Sequence, residues 1–344
     1  MRGRYFSGKV GKTKGLAFMI IVTGAAGFIG SAIVKALNDG GNQDILVVDH
    51  YESTDKWKNL RGLKYYEFIQ VEDLFAHKAW NENKITAVYH MGACSDTTEL
   101  NMDFLYKNNT EFTNKLFELC AKKKIPFLYA SSAATYGAGE QGYSDEHAGI
   151  SKLRPLNKYG YSKQLSDEWS LKQKETPPAW FGVKFFNVFG PNEYHKGKMS
   201  SVVFQSFNQI KAVGEVKLFK SHRPDFKDGE QLRDFVYVKD VVRAMIGLMT
   251  KADPKTSGIY NLGTGKARSF YDLSKATFNA MGVTPNITFI DMPKELQGQY
   301  QYFTEANMNK LNKVLPDFKF LSLEEAVSDY VKNHLMTEDP FLKA

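Results

Sequence analysis

The sequence predicts an α/β fold built on a parallel sheet, and three observations carry that prediction. Apolar runs of strand length alternate with helical segments over about 190 residues. A Gly-x-x-Gly-x-x-Gly turn follows the first run and opens the first helix. Beyond Gly190-Pro191 the texture changes to longer polar loops and shorter strands, which predicts a smaller, mixed α/β C-terminal lobe.

In chain order, strands are expected at 19–23, 44–49, 86–90, 127–131 and 181–186, with a further strand ending near Asp73. Their near-continuous apolar character suits strands covered by helices on both faces. A helix is expected at 29–38, closed by Gly40-Gly41, and another at 103–124, whose last turn gathers Lys122, Lys123 and Lys124 where the helix dipole favours cations. In the second part, strands at 234–238 and 258–262 and helices at 241–250 and 269–281 complete the pattern.

The chain of 344 residues, 43% hydrophobic, is long enough for a substantial core. Its formal charge of +7 is no nucleic-acid footprint, because Arg2, Arg4, Lys9, Lys12 and Lys14 lie in residues 1–18 with no acid. Without those five, 40 basic residues face 38 acidic ones. Residues 1–18 read as a disordered basic tail, with a short organelle-targeting sequence as the alternative. The uncharged window at 15–34 has the length of a membrane span, but Gly24, Gly27 and Gly30 break it into strand, turn and helix start. No membrane or nucleic-acid partner is expected. Cys94 and Cys120 have neither a pairable pattern nor metal-ligand spacing, so no metal is expected and a reducing cytoplasm fits.

The turn Thr23-Gly24-Ala25-Ala26-Gly27-Phe28-Ile29-Gly30 carries the first chemistry. Gly24 permits a tight turn, Gly27 lets backbone approach a pyrophosphate, and Gly30 allows close packing of helix on strand. Asp49 follows at the end of the second strand, where an acid holds ribose hydroxyls. Together these predict a Rossmann-type, doubly wound dinucleotide-binding domain over 19–190, with 191–344 forming mainly a substrate-binding lobe. Asp49 alone favours NAD; Lys56 and Lys58 just beyond it can neutralise a 2′-phosphate, so NADP stays open. Asp73 is placed facing the adenine, and the loop Gly92-Ala93-Cys94-Ser95 should line the cofactor cleft.

Tyr159 and Lys163, four apart on a helix, share one face. An ammonium beside a phenol lowers its pKa from ~10, so that it can take a proton from a substrate hydroxyl. Ser132, just past the fifth strand, can hydrogen-bond the same oxygen.

These residues resemble the extended short-chain dehydrogenase/reductase family from Met19 nearly to the last residues. Further strings narrow the resemblance: Tyr129-Ala130-Ser131-Ser132-Ala133-Ala134-Thr135-Tyr136-Gly137, Phe186-Asn187-Val188-Phe189-Gly190-Pro191 followed by His195-Lys196-Gly197, Arg233-Asp234-Phe235-Val236-Tyr237-Val238 and Asn261-Leu262-Gly263-Thr264-Gly265. They are similar to the branch that epimerises ADP-heptoses for lipopolysaccharide. The resemblance implies a cytoplasmic, homo-oligomeric isomerase that oxidises carbon six of ADP-glycero-manno-heptose to a ketone and returns hydride to the opposite face. It implies catalytic roles for Tyr159, Lys196, Ser132 and Lys163, with Lys196 the second proton-handling group rather than a solvated loop lysine. Cofactor contacts carried over are Gly24, Gly27, Phe28, Ile29, Gly30, Asp49, His50, Lys56, Met91, Gly92, Ala93, Cys94, Ser95, Asn108, Lys163, Val188 and Lys196, with NADP preferred and NAD possible. The ADP-heptose would meet Asn187, Lys198, Gln205, Phe219, Lys220, Ser221, His222, Arg233 and Tyr300. Arg233 suits a diphosphate bidentately, although a salt bridge to Asp234 is the plainer alternative. Residues 223–231 form an insertion that lengthens a substrate-side loop. A UDP-hexose 4-epimerase is the nearest rival, and a dinucleotide-binding sensor without catalysis a more distant one. A 4,6-dehydratase is rejected because Ala133-Ala134 stands where its Asp-Glu pair is needed.

Overall fold

The computed structural model describes residues 18–82, 84–297 and 300–344, so the expected basic tail lies, Phe18 apart, outside the described residues. Seven parallel strands form the main sheet. They are β1 (Met19–Thr23), β2 (Ile45–Val48), β3 (Glu67–Ile69), β4 (Ile85–His90), β5 (Phe127–Ser132), β6 (Trp180–Phe185) and, after four short strands, β11 (Gly258–Leu262). The short strands before β11 are β7 (Asn187–Phe189), β8 (Val216–Phe219), β9 (Leu232–Arg233) and β10 (Phe235–Tyr237); β12 (Arg268–Ser269) and β13 (Ile287–Ile290) follow it.

The sheet order is β11-β6-β5-β4-β1-β2-β3. Strand order reverses between β1 and β4, so their connections leave in opposite directions and a crevice opens at the carboxyl ends. This is the doubly wound Rossmann-type arrangement. Residues of β2 and β11 are all buried, which is why these strands read as unbroken apolar runs rather than as alternation.

Three expectations need correction. The third strand stops at Ile69, and Asp73 sits beyond it, exposed, in the 3-10 turn Val71–Ala76. The helix expected at 103–124 is interrupted: after Met102–Leu105 a π-helical stretch, Tyr106–Glu111, precedes Phe112–Lys123. The widening falls at Asn109, whose buried amide is committed to the backbone of Cys94, accepting from its N–H at 2.8 Å and donating to its carbonyl at 2.9 Å. Finally, the chain does not leave the sheet for good at residue 190. Strand β11 pairs with β6, and the preceding helix Val238–Thr250 packs on Phe28–Asp39.

The smaller lobe is made of the pairs β7/β10, β8/β13 and β9/β12 with the helices Val202–Val213 and Phe270–Met281. It has its own apolar cluster of Ile210, Val216, Leu218 and Phe278. Beneath the ends of β5 and β6 lies a wholly buried polar network. Lys184 Nζ donates to Asp167 Oδ2 (2.5 Å) and Thr135 Oγ1 (2.7 Å), while Asp167 also accepts from the hydroxyls of Ser131 (2.7 Å) and Tyr129 (3.0 Å). The buried carboxylate thus accepts three hydrogen bonds and the ammonium donates two, which ties the helix Lys158–Leu171 to the strand ends.

Candidate active site

The glycine turn is shaped by two close approaches. Gly24 has φ +63°, and a Cβ there would stand 2.6 Å from Gly92 N and 2.7 Å from the Met91 carbonyl carbon, so β1 and β4 bring their terminal loops into backbone contact. A Cβ on Gly30 would stand 2.0 Å from the Gly24 carbonyl oxygen. Only hydrogen fits at either place. The helix Phe28–Asp39 starts at Gly27 with no side-chain cap, leaving its N-terminus open to an anion.

Asp49 stands just past β2. Its Oδ2 accepts from Ala26 N (2.7 Å), and its Oδ1 accepts from His50 N (2.7 Å) and Lys56 Nζ (3.0 Å). The carboxylate therefore braces the glycine turn while its charge is answered by Lys56.

A cavity of about 800 Å³ runs along the crevice. Of the cofactor residues expected from the sequence it is lined by Gly24, Gly27, Phe28, Ile29, Gly30, Asp49, Lys56, Met91, Gly92, Ala93, Ser95, Lys163, Val188 and Lys196. Of the remaining candidates it is lined by Ser132, Tyr159, Asn187, Lys198, Arg233 and Tyr300. His50, Cys94, Asn108, Gln205 and residues 219–222 are not in its wall. His50 turns to Gln70 (3.1 Å), Asn108 to Asn109 (3.1 Å), and Gln205 ties the carbonyls of Lys198 (3.2 Å) and Ser200 (2.8 Å). Phe219 ends β8, Lys220 pairs with Asp291 (3.0 Å), Ser221 N donates to Asp228 (2.8 Å), and His222 N donates to the Tyr302 hydroxyl (2.9 Å). The 219–222 segment touches Tyr302, whose ring lies 5.5 Å from that of Tyr300 in the wall.

Ser132, the last residue of β5, meets the helix carrying Tyr159 and Lys163. Burial pushes the Tyr159 phenol up, with the Ser132 hydroxyl pulling it back by a hydrogen bond. The depression expected from Lys163 is thus not what the side chains alone produce. Burial instead acts on Lys163 itself, bringing it down to about 8 against the opposing charge of Asp167.

Lys196 enters from the turn Tyr194–Met199, its ammonium 5.5 Å from the Phe28 ring centre. Desolvation lowers its pKa, with the Glu193 carboxylate opposing. Arg233 decides the alternative left open by the sequence. Asp234 is already occupied by Thr264 N (2.7 Å), Thr264 Oγ1 (2.7 Å), Gly265 N (2.9 Å) and Ala306 N (3.0 Å). Arg233 is 6% exposed, donates to the Leu232 carbonyl (2.9 Å) and has no carboxylate partner among the described residues. A buried guanidinium facing a cavity without a counter-charge is a receptor for an anion.

Sequence reasoning missed Phe270, which lies under Arg233 with its ring 5.6 Å from the guanidinium carbon, and His195, which lines the cavity beside Lys196. His195 was legible as the neighbour of Lys196; nothing local marks Phe270.

Comparison with known proteins agrees with this geometry. Residues 20–263 match the NAD dependent epimerase/dehydratase family. An ADP-L-glycero-D-manno-heptose-6-epimerase from Fusobacterium nucleatum is 55% identical over 337 residues, spanning 94% of this chain and all of that protein. Among solved structures, the ADP-L-glycero-D-manno-heptose-6-epimerase of Helicobacter pylori is 30% identical with a TM-score of 0.76, over 92% of this chain and 96% of that one. UDP-glucuronic acid 4-epimerase from Bacillus cereus, in complex with UDP-glucuronic acid and NAD, shares the fold at 23% identity and a TM-score of 0.73, over 92% and 99% of the two chains. The glycine cradle, the Ser132/Tyr159/Lys163 set and the match across most of the chain together place this protein in the NAD dependent epimerase/dehydratase family.

Proposed function

We propose that this chain epimerises carbon six of an ADP-glycero-manno-heptose by transient oxidation to a ketone, as a step in making the heptose precursor of lipopolysaccharide. The observation that carries the reading is that Tyr159 and Lys196, on separate elements, line one cavity that also holds Arg233, which has no carboxylate partner among the described residues. Epimerisation requires a proton-handling group for each configuration of the hydroxyl, and two such groups are present.

The cradle around Gly24 and Gly92 fits a nicotinamide dinucleotide, which when bound accepts the hydride of carbon six and gives it back. Tyr159 takes the hydroxyl proton of one epimer, with Ser132 holding the same oxygen and drawing the phenol pKa down, and with Lys163 one turn further along the same helix. Lys196 hands a proton to the ketone oxygen in its other orientation, and the roles exchange in reverse. Arg233 grips the diphosphate, with Tyr300 and Phe270 excluding water around the guanidinium. NADP is the preferred cofactor in this reading, because Lys56, in the cavity wall, offsets the Asp49 charge that would otherwise repel a 2′-phosphate.

No helix among the described residues is long and apolar enough to cross a membrane. The free thiols of Cys94 and Cys120 suit a reducing cytoplasm. The exposed Leu100, Phe104, Tyr106 and Tyr161 support a homo-oligomer, testable by light scattering.

The deciding experiment incubates purified enzyme with ADP-D-glycero-D-manno-heptose, without added cofactor, and follows both carbon-six epimers by anion-exchange chromatography. Approach to a mixture is expected, with Tyr159→Phe and Lys196→Met each losing most of the rate. Unchanged heptose with conversion of UDP-glucose would replace the reading by a UDP-hexose 4-epimerase.

A further inference from the structure

Lys196 belongs to a loop that closes on itself and is then tied to the body of the protein by more hydrogen bonds at one residue than at its other ties, which include Asn59 Nδ2 to His195 Nδ1 (3.2 Å). Closure comes from Glu193, fully buried, whose carboxylate accepts from Gly190 N (3.3 Å), Ser201 N (2.5 Å) and Ser201 Oγ (2.6 Å), so that both ends of the loop meet at one side chain. The Glu193 carbonyl also accepts from Lys196 N (3.0 Å).

The tie is the residue before it. Asn192 is fully buried and holds φ +78°, a left-handed conformation uncommon outside glycine and one that Asn enters more readily than most residues. Its Nδ2 donates to Ser31 Oγ (2.9 Å), on the helix that opens at the glycine turn, and its Oδ1 accepts from Leu342 N (3.0 Å). Its carbonyl accepts from Asn59 Nδ2 (3.0 Å), and the same amide of Asn59 donates to the Ala26 carbonyl (2.9 Å) inside the glycine turn. The segment bearing Leu342 grips the loop a second time, through Tyr194, whose hydroxyl donates to the Pro340 carbonyl (2.9 Å) and whose ring meets Phe341 edge-on at 5.1 Å.

We propose that Asn192 is a positioning residue for Lys196: it locks the loop that carries this lysine to the cofactor turn on one side and to the segment 340–342 on the other. The proposal rests on the reading of Lys196 as the second proton-handling group. A short amide in a left-handed turn is suited to the task, because it satisfies donor and acceptor at once while reversing the chain. Loosening it lets the ammonium drift, and misplacement by an ångström costs a proton-transfer step about a hundredfold.

The test uses Asn192→Gly, since glycine holds the positive φ freely and only the side-chain bonds to Ser31 and Leu342 are lost, while the carbonyl still accepts from Asn59. Enzyme loaded with oxidised nicotinamide is mixed with each pure ADP-heptose epimer, and reduced nicotinamide is followed by absorbance in a single turnover. Lys196→Met is the reference and is expected to slow reduction by one epimer only. Asn192→Gly is expected to slow that same epimer at least tenfold and leave the other within about twofold, with KM and cofactor content near those of the unaltered enzyme and a lower thermal midpoint, because the Leu342 N–H loses its partner. Ser31→Ala, which removes the partner of Asn192 Nδ2 without touching the loop, is expected to show the same selectivity and carries the test if Asn192→Gly does not fold. Equal slowing of both epimers, or of neither, while Lys196→Met remains selective, overturns the role of Asn192. A Lys196→Met variant without selectivity overturns the two-group reading, and this proposal with it.

Discussion

The guanidinium carbon of Arg233 lies 5.0 Å from the centre of the Tyr300 ring, so the charge that faces the cavity sits over an aromatic face. Stacking and a planar fork are both properties that lysine lacks. Arg233→Lys is therefore expected to raise KM for the nucleotide-sugar by tenfold or more while the protein still retains its cofactor. An unchanged KM in steady-state kinetics would remove Arg233 from the substrate site.

Lys56 and Asp49 set up a choice between cofactors. With Lys56→Met the Asp49 carboxylate loses its cation and repels a 2′-phosphate, whereas NAD loses nothing it depends on. The ratio of Kd values for NADP and NAD, measured by titration on cofactor-stripped protein, should shift toward NAD by at least tenfold. No shift would place the 2′-phosphate, or its absence, elsewhere.

The buried pair Lys184 and Asp167 makes a stability prediction. Lys184→Met leaves a wholly buried carboxylate without its cation, which costs about 3–5 kcal/mol, while replacing both members together costs less. Urea unfolding of the single and double variants checks this. A single variant within about 1 kcal/mol of the parent would mean that the hydroxyls of Ser131 and Tyr129 suffice to hold the charge.

His90 predicts an acid limb. Its Nδ1 meets Thr23 Oγ1 at 2.6 Å and its Nε2 meets Thr113 Oγ1 at 3.0 Å; burial, with the Lys163 charge adding, holds its pKa down to about 3. In the unfolded chain it protonates near 6.5, so between these values the unfolded state binds the extra proton. Stability then falls as pH drops through that window, by up to about 1.4 kcal/mol per pH unit from this group. In denaturant titrations at pH 7 and pH 4.5, His90→Gln should lose roughly 3 kcal/mol less than the parent across that interval. Equal losses would show that His90 is not the group responsible.

Most of the sheet was legible, because fully buried parallel strands are written as apolar runs between turn residues and the glycine fingerprint locates the turn. The π-helical break at Asn109 was not, since the partners that draw its amide aside, the Cys94 backbone and the Ser162 hydroxyl, lie 15 and 53 residues away. The placement of residues 219–222 outside the cavity wall was equally hidden: a string similar to a family motif says which residues occur, while their distance from the cleft depends on how Tyr302 packs beneath them.

By itself the sequence determined the parallel α/β architecture, the cofactor turn and the Ser132, Tyr159 and Lys163 set, all of which depend on local spacing along strands and helices. Tertiary structure alone decided that Asp234 is spoken for and Arg233 is left facing the cavity. It also decided that burial raises the Tyr159 phenol and lowers Lys163, and that Asn192 joins the Lys196 loop to residues 31, 59 and 342. Those outcomes turn on desolvation and on hydrogen-bond partners up to 161 residues apart, quantities that exist only once the chain has closed on itself.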